Sequence, residues 1–266
     1  MSQSLSLLSA VYDNRFFTNR AGGSLLSARI VAPIALEYTG ARSVVDLGCG
    51  TGDWLSAFRD LGIEDIQGYD GGEAASNLMI PLDRFRKCDL TLPIDAGRKF
   101  DLAVCLEVAE HLDARHAPTL IDSLASLAPA VLFSAAIPGQ GGVHHVNEQW
   151  QDYWVDQFAR VGYATVDCIR PRIWNTRNVS VWYAQNILLF VDAQKIDRYP
   201  KIVADHDRWK DKPVAVVHPR TLTEKLAWPA SWVDPKCLTA KSVLAALPSL
   251  VLRSAQAHLR QLFGKR

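Results

Sequence analysis

Residues 44–54, Val-Val-Asp-Leu-Gly-Cys-Gly-Thr-Gly-Asp-Trp, put glycines on alternate positions, Gly48, Gly50 and Gly52, directly after Asp46 and Leu47. The apolar pair Val44 and Val45 leads in, and Trp54, Leu55 and Phe58 begin a helical pattern on the far side. A strand that turns through glycines into a helix brings backbone N–H groups and a positive dipole end close to a ligand. That is the chemistry of nucleotide-cofactor binding. The spacing is G-x-G-x-G, not the G-x-G-x-x-G of a dinucleotide site. A carboxylate at Asp46 would repel a diphosphate but suits a cationic ligand, so a nicotinamide cofactor is disfavoured twice. Asp70 stands roughly 20 residues after the glycine turn, where such folds place the carboxylate that binds ribose hydroxyls. Gly71 and Gly72 keep that approach open.

A second set of reactive side chains lies downstream. Leu106-Glu107-Val108-Ala109-Glu110-His111-Leu112 ends a strand pattern. Pro138-Gly-Gln-Gly-Gly-Val-His144-His145-Val-Asn147-Glu148-Gln149-Trp150 follows another and continues to Tyr153 and Trp154. Both fall at the carboxyl edge expected of a parallel sheet, where such folds bind ligands. A hydroxyl is a weak nucleophile and gains from a general base with a pKa near the working pH. Histidine is the side chain suited to that task. His145 is the first candidate base, His144 the neighbour that could replace it, and His111 a third. Asn147, Glu148, Gln149 and Tyr153 are candidates to hold the acceptor. The same residues also fit a purely local role, with Asn147 capping a helix and His145 ordering the loop. A divalent cation could acidify a hydroxyl here. No ligand spacing in the sequence is diagnostic, however, and no metal is assigned.

The glycine stretch resembles motif I of the class I S-adenosylmethionine (SAM) methyltransferases, D-x-G-x-G-x-G, with every defining position met. Residues 107–112 look like the E-V-x-E-H-[LIV] signature of many small-molecule methyltransferases. From Gly141, the pattern G-G-x-x-H-x-N-E-Q-W…Y-W is similar to a subgroup associated with surface-glycan and secondary-metabolite pathways. The resemblance covers about residues 10–192. It implies SAM as cofactor, with the backbone at Gly48, Cys49, Gly50 and Gly52 along its methionine and ribose parts. It also implies Asp89 accepting the adenine amino group, Leu90 bordering the ring, and Leu106 and Glu107 edging the methionine. Tyr12, near Phe16 and Phe17, would lid the cofactor.

These residues need a frame to position them. Helical spacing runs from Ser24 to Tyr38 and stops at Gly40, a plausible C-cap. Strands read at 43–47, 65–69, 85–88, 102–106, 130–137, 164–169 and 186–191. Helices read at 53–61, 117–127 and 148–161. Continuous apolar strands such as Leu102–Leu106 belong to a sheet covered on both faces. Strands alternating with helices give an α/β, doubly wound, mostly parallel sheet. Between Ile169 and Asn186 no convincing helix is legible, so the last strand should return antiparallel. The resemblance implies seven strands in the order 3-2-1-4-5-7-6. Residues 1–195 then form the SAM-binding domain, and 196–266 a C-terminal extension.

The chain has 266 residues, a formal charge of +1 and 48% hydrophobic residues, an ordinary globular composition without the basic excess of a nucleic-acid binder. Five scattered cysteines without a C-x-x-C pair suit a reducing compartment. The first residues have neither the basic region nor the apolar core of a signal peptide. After Asp234 come six Lys or Arg and no acid, with Leu252, Ala255, Leu259 and Leu262 at helical spacing. A basic amphipathic helix over 248–266 can lie on anionic lipid or dock on a protein partner. The expectation is a cytoplasmic SAM-dependent O-methyltransferase, peripheral at the inner membrane face, acting on a carbohydrate hydroxyl in lipopolysaccharide-type glycan assembly. The alternatives are a methyltransferase of a quinone or polyketide, and a non-catalytic SAM-binding accessory protein.

Overall fold

The computed structural model describes residues 14–71, 77–205, 208–209 and 211–226. By its internal contacts the chain divides into residues 1–218 and 219–266. In the second unit the described part is one helix, Pro219–Leu226.

The first unit opens with helix α1, Asn14–Thr39, which starts ten residues before the periodic stretch that announces it. It ends at Gly40, whose backbone is left-handed (φ 62°) and whose N–H donates to Leu36 O at 2.8 Å. There follow β1 Ser43–Leu47, α2 Asp53–Asp60, β2 Asp65–Asp70, β3 Phe85–Lys87 and β4 Leu102–Leu106. Then come α3 Ala117–Leu127, β5 Ala130–Ser134, α4 Gln151–Arg160 and β6 Tyr163–Val166. Two short helices, α5 Arg170–Ile173 and α6 Val181–Asn186, precede β7 Leu188–Asp192. They occupy the stretch where the sequence shows no helix. Each is at most six residues long, too short to display a helical period.

The seven strands form one sheet in the order β3-β2-β1-β4-β5-β7-β6. Pairings from β3 to β5 are parallel, and β7 runs antiparallel to both β5 and β6. Alternate residues of each strand feed opposite faces. On β4, Leu102, Val104 and Leu106 join one core cluster, while Ala103 and Cys105 join the other. The first cluster takes in α1 and α2 with Ala28, Val31, Ala35, Leu55 and Phe58, and reaches Tyr199, Ile202 and Trp209 beyond the sheet. The second is built on α3 and α4, where Phe158 stacks on Phe190 of β7 at 3.8 Å between ring centroids. Burial on both faces is why the inner strand β4 reads as an unbroken apolar run, and β7 nearly so.

Strand β6 ends at Val166, three residues short of the sequence reading, and β7 begins at Leu188, two residues late; two further boundary differences shape the site. Strand β5 stops at Ser134, three residues early, and α4 starts at Gln151, three residues late. The backbone between them is engaged elsewhere. Val146 N and Asn147 N both donate to Glu110 O, at 2.8 and 3.1 Å, and Gln149 N donates to Ala136 O at 3.1 Å. Asn147 therefore does not cap α4; Trp150 does, without a side-chain bond.

Candidate functional site

The carboxyl ends of β1 and β2 carry the glycine turn. Gly48 N and Cys49 N donate to Tyr69 O at 2.8 and 3.1 Å, which fixes the turn against β2. Gly48 has φ 84°, and a Cβ there would lie 2.4 Å from a methyl of Val108. Only glycine meets both conditions without strain. Gly52, also left-handed, is the N-cap of α2. Asp70 ends β2 with one carboxylate oxygen accepting from Gly50 N at 2.8 Å and the other from Gly71 N at 2.6 Å. Each oxygen keeps a further lone pair for a ribose hydroxyl. The acid two places before the first glycine is interior: Asp46 is 2% exposed. Burial, and then the Asp70 and Asp53 carboxylates, hold its carboxyl well above the usual aspartate range. Burial also raises Asp70, against the pull of its two amide bonds.

On the rim after β3, Asp89 is exposed. One of its oxygens accepts from Thr91 N at 2.9 Å and Thr91 Oγ1 at 2.7 Å, and these bonds lower its carboxyl. Leu90 is half-buried against the second core. Leu106 is buried at the end of β4. Tyr12 and Gly72 lie outside the described residues, as does the expected helix over 248–266.

The ends of β4 and β5 carry the second set. Glu107 has a left-handed backbone (φ 57°), an expensive conformation for a residue with a side chain. Its N–H donates to Ser134 O at 2.9 Å and Ser134 Oγ at 3.2 Å. Its carboxylate accepts from Gln140 Nε2 at 2.8 Å and Asn186 Nδ2 at 3.1 Å. Asn186 Nδ2 also donates to Gln140 Oε1 at 2.9 Å, and Gln185 Nε2 donates to Asn186 Oδ1 at 3.0 Å. Burial raises the Glu107 carboxyl, while Asn186, Ser134 and Gln140 pull it back. Sequence reasoning misses this amide clamp. Gln140 sits among loop glycines, while Gln185 and Asn186 end α6, and none belongs to a local motif.

Beside it, Glu110 is fully buried in the turn Ala109–His111. The rings of His111 and His145, 34 residues apart in sequence, meet edge to face at 4.9 Å between centroids. His145 Nδ1 pairs with Glu148 Oε1 at 2.9 Å, and its Nε2 lies 4.0 Å from Glu110 Oε1. Glu148 also accepts from Gly139 N and Gly141 N, each at 2.7 Å, so one carboxylate closes the loop and orients the imidazole. His144 is exposed, with φ 58°. Asn147 is buried; its amide donates to Ala109 O at 3.4 Å and accepts from Gln149 Nε2 at 3.0 Å. Tyr153 packs edge-on against Trp154 at 4.9 Å. Of the sequence candidates, the structure thus brings together His111, His145 and Glu148. Asn147, Gln149 and Tyr153 make contacts within the protein.

Residues 14–169 match the family model described as a methyltransferase domain. The chain belongs to this methyltransferase family. No curated protein matches it. Among solved structures it is similar to the methyltransferase domain of bacterial CtHen1, at 20% identity over 62% of this chain and 97% of that one, with a TM-score of 0.46. It is also similar to the magnesium protoporphyrin IX methyltransferase of Synechocystis PCC 6803, at 22% identity over 65% and 84%, TM-score 0.46. A third is the sugar N-methyltransferase KedS8 of Streptoalloteichus, at 23% identity over 48% and 56%, TM-score 0.39.

The site of this methyltransferase fits SAM. Asp46, Asp53 and Asp70 crowd the glycine turn, and burial raises the carboxyl of all three. A cationic ligand relieves that crowding, whereas a diphosphate would add to it. The close approach at Gly48 leaves the turn without side-chain bulk, and Asp70 has acceptor capacity for a diol. Among the described residues no helix is long and apolar enough to cross a membrane.

Proposed function

We propose that this methyltransferase moves the methyl group of SAM onto a hydroxyl of a carbohydrate, in the assembly of a surface glycan. Bound SAM supplies an electrophilic methyl group on a sulfonium centre. The chain's own residues have to position the acceptor and dispose of its hydroxyl proton. The observation that carries the proposal is the imidazole–carboxylate cluster of Glu110, His111, His145 and Glu148. It stands on the same sheet edge as the glycine turn. Its loop is fixed by the Glu148 bonds to Gly139 N and Gly141 N, and by the Val146 and Asn147 bonds to Glu110 O. An amine acceptor would need no such device once it is neutral, whereas a sugar hydroxyl does.

A second reading has one observation in its favour. Val143, Val146 and Trp150 are 41%, 66% and 42% exposed on the same loop, an apolar rim that would also suit a quinol or polyketide phenol. Labelled SAM offered to parallel panels of sugars, nucleotide sugars, quinols and phenols decides between the two. Label on a sugar oxygen supports the proposal. Label on a quinol or phenol alone replaces it with the second reading, and label on nitrogen removes both.

A further inference from the structure

The geometry points to a divalent-cation site formed by Glu110, His111 and His145, with Glu148 behind it. One ligand atom from each of the three residues lies within 4.8 Å of the others. The tautomer of His145 follows from its partner: Glu148 is a carboxylate and only accepts, so Nδ1 carries the proton. In the neutral ring, the form that binds metals, Nε2 then has its lone pair facing Glu110 Oε1 across 4.0 Å. Two acceptors at that distance are too far apart for a hydrogen bond between them. Ligands each about 2.1 Å from one tetrahedral metal lie about 3.4 Å apart, so a shared ion would draw these two together by about 0.6 Å. Closing the widest separation in the trio to that spacing takes at most about 1.4 Å, shared between two side chains.

The surroundings match a metal site in a second way. A histidine ligand commonly donates its other ring N–H to a carboxylate, which orients the ring and raises its basicity. Glu148 does this for His145 and is itself fixed by two backbone amides. The His145 ring also occupies the space over Gly142, where a Cβ would come within 2.1 Å of Nε2. The main chain of Glu110 is fixed as well, because its carbonyl receives the amides of Val146 and Asn147. Glu107 is left out of the ligand set, since both its oxygens already receive side-chain amides. Two imidazoles and one carboxylate favour a first-row transition ion such as Mn²⁺ or Zn²⁺ over Mg²⁺, which prefers oxygen. Three protein ligands leave coordination positions open for an acceptor oxygen. An ion there would lower the pKa of a bound hydroxyl. This role rests on the oxygen-acceptor reading above, and His145 then serves as a ligand rather than as the proton acceptor.

The test uses the full chain, stripped with chelator and titrated with Mn²⁺ while EPR reads the free ion. One Mn²⁺ per chain, displaced by Zn²⁺, is expected. Glu110→Gln and His111→Ala should each weaken binding at least tenfold, and Glu148→Gln about tenfold, the usual scale for outer-shell partners. Pulsed EPR of the wild-type complex should show coupling to imidazole nitrogen, a readout independent of whether any variant folds. No binding at millimolar Mn²⁺ or Zn²⁺, no nitrogen coupling, or wild-type affinity in folded Glu110→Gln would each overturn the site. Calorimetry with S-adenosylhomocysteine on the same sample keeps the methyltransferase reading separate. If that ligand binds while the metal does not, only the cation site fails.

Discussion

The two halves of the sheet edge are built by different means. At β1 and β2 the candidate cofactor site is local: one acid at the end of the strand, a turn of a few glycines and one acid at the next strand end. One amide of that turn, Gly50 N, donates to Asp70, whose other oxygen accepts from its own neighbour, Gly71 N. At β4 and β5 the region proposed to take the acceptor is assembled at long range. Glu107 is held by Gln140 and Asn186, and His145 meets His111 across 34 positions. A ligand common to a family can be gripped by a short motif. A site for one particular acceptor draws its residues from wherever the loops meet, and needs a clamp to hold them.

The largest effect expected is in the acceptor half alone. His145→Ala should lower turnover by about 10²–10⁴-fold, because either role proposed for it, proton acceptor or cation ligand, serves to activate the acceptor hydroxyl, with SAM affinity nearly unchanged. Steady-state kinetics and calorimetry on one preparation check this. If SAM binding falls as much as turnover, the two halves are not separable.

The mirror experiment is Gly48→Ala. The added methyl meets Val108 and must adopt φ 84°. Crowding and left-handed backbone together should cost about 3 kcal/mol. A lowered melting temperature together with lost SAM binding is the expected pair. Normal SAM binding would show that the turn is not the cofactor's seat.

The amide clamp comes next. Asn186→Ala leaves Glu107 with one side-chain amide fewer and should cost about 1–2 kcal/mol in denaturant stability. SAM affinity should fall as well, since Glu107 is the candidate to edge the methionine of the cofactor. Unchanged SAM affinity with reduced turnover would move Glu107 to the acceptor side.

The smallest effect is a pH dependence carried by the carboxyls around the glycine turn. Burial raises Asp46 and Asp70, so the free folded protein retains protons that the unfolded chain releases. These groups therefore make stability fall as pH rises through the window from the ordinary aspartate value to the raised one. Binding a cation favours the ionised forms, so SAM affinity should fall as pH is lowered from neutral into that window. S-adenosylhomocysteine, which lacks the sulfonium charge, should lose less. Parallel titrations by calorimetry read the difference.

The same contrast explains what was legible in the sequence. Strand order, the antiparallel β7 and the glycine turn with Asp46 and Asp70 all follow from short-range pattern and the motif resemblance. The exact ends of β5 and α4 do not, because they are set by Glu110 O and Ala136 O accepting amides from residues 146–149. The helices α5 and α6 are too short for periodicity to reveal. His145 and Glu148 can be picked out by residue type, but their pairing with His111 and Glu110 exists only once β4 and β5 lie side by side. Gln140, Gln185 and Asn186 carry no signal at all in one sequence.

The claim on which everything else depends is that the β1–β2 turn binds SAM through Asp70. Calorimetry on wild-type and Asp70→Ala protein tests it most directly. Wild type should bind SAM and S-adenosylhomocysteine and ignore NAD. The folded variant should bind SAM more weakly by roughly 1–3 kcal/mol, the cost of leaving buried hydrogen-bonding groups unmatched. Unchanged SAM affinity in a folded Asp70→Ala protein, or binding of NAD by the wild type, would contradict the account.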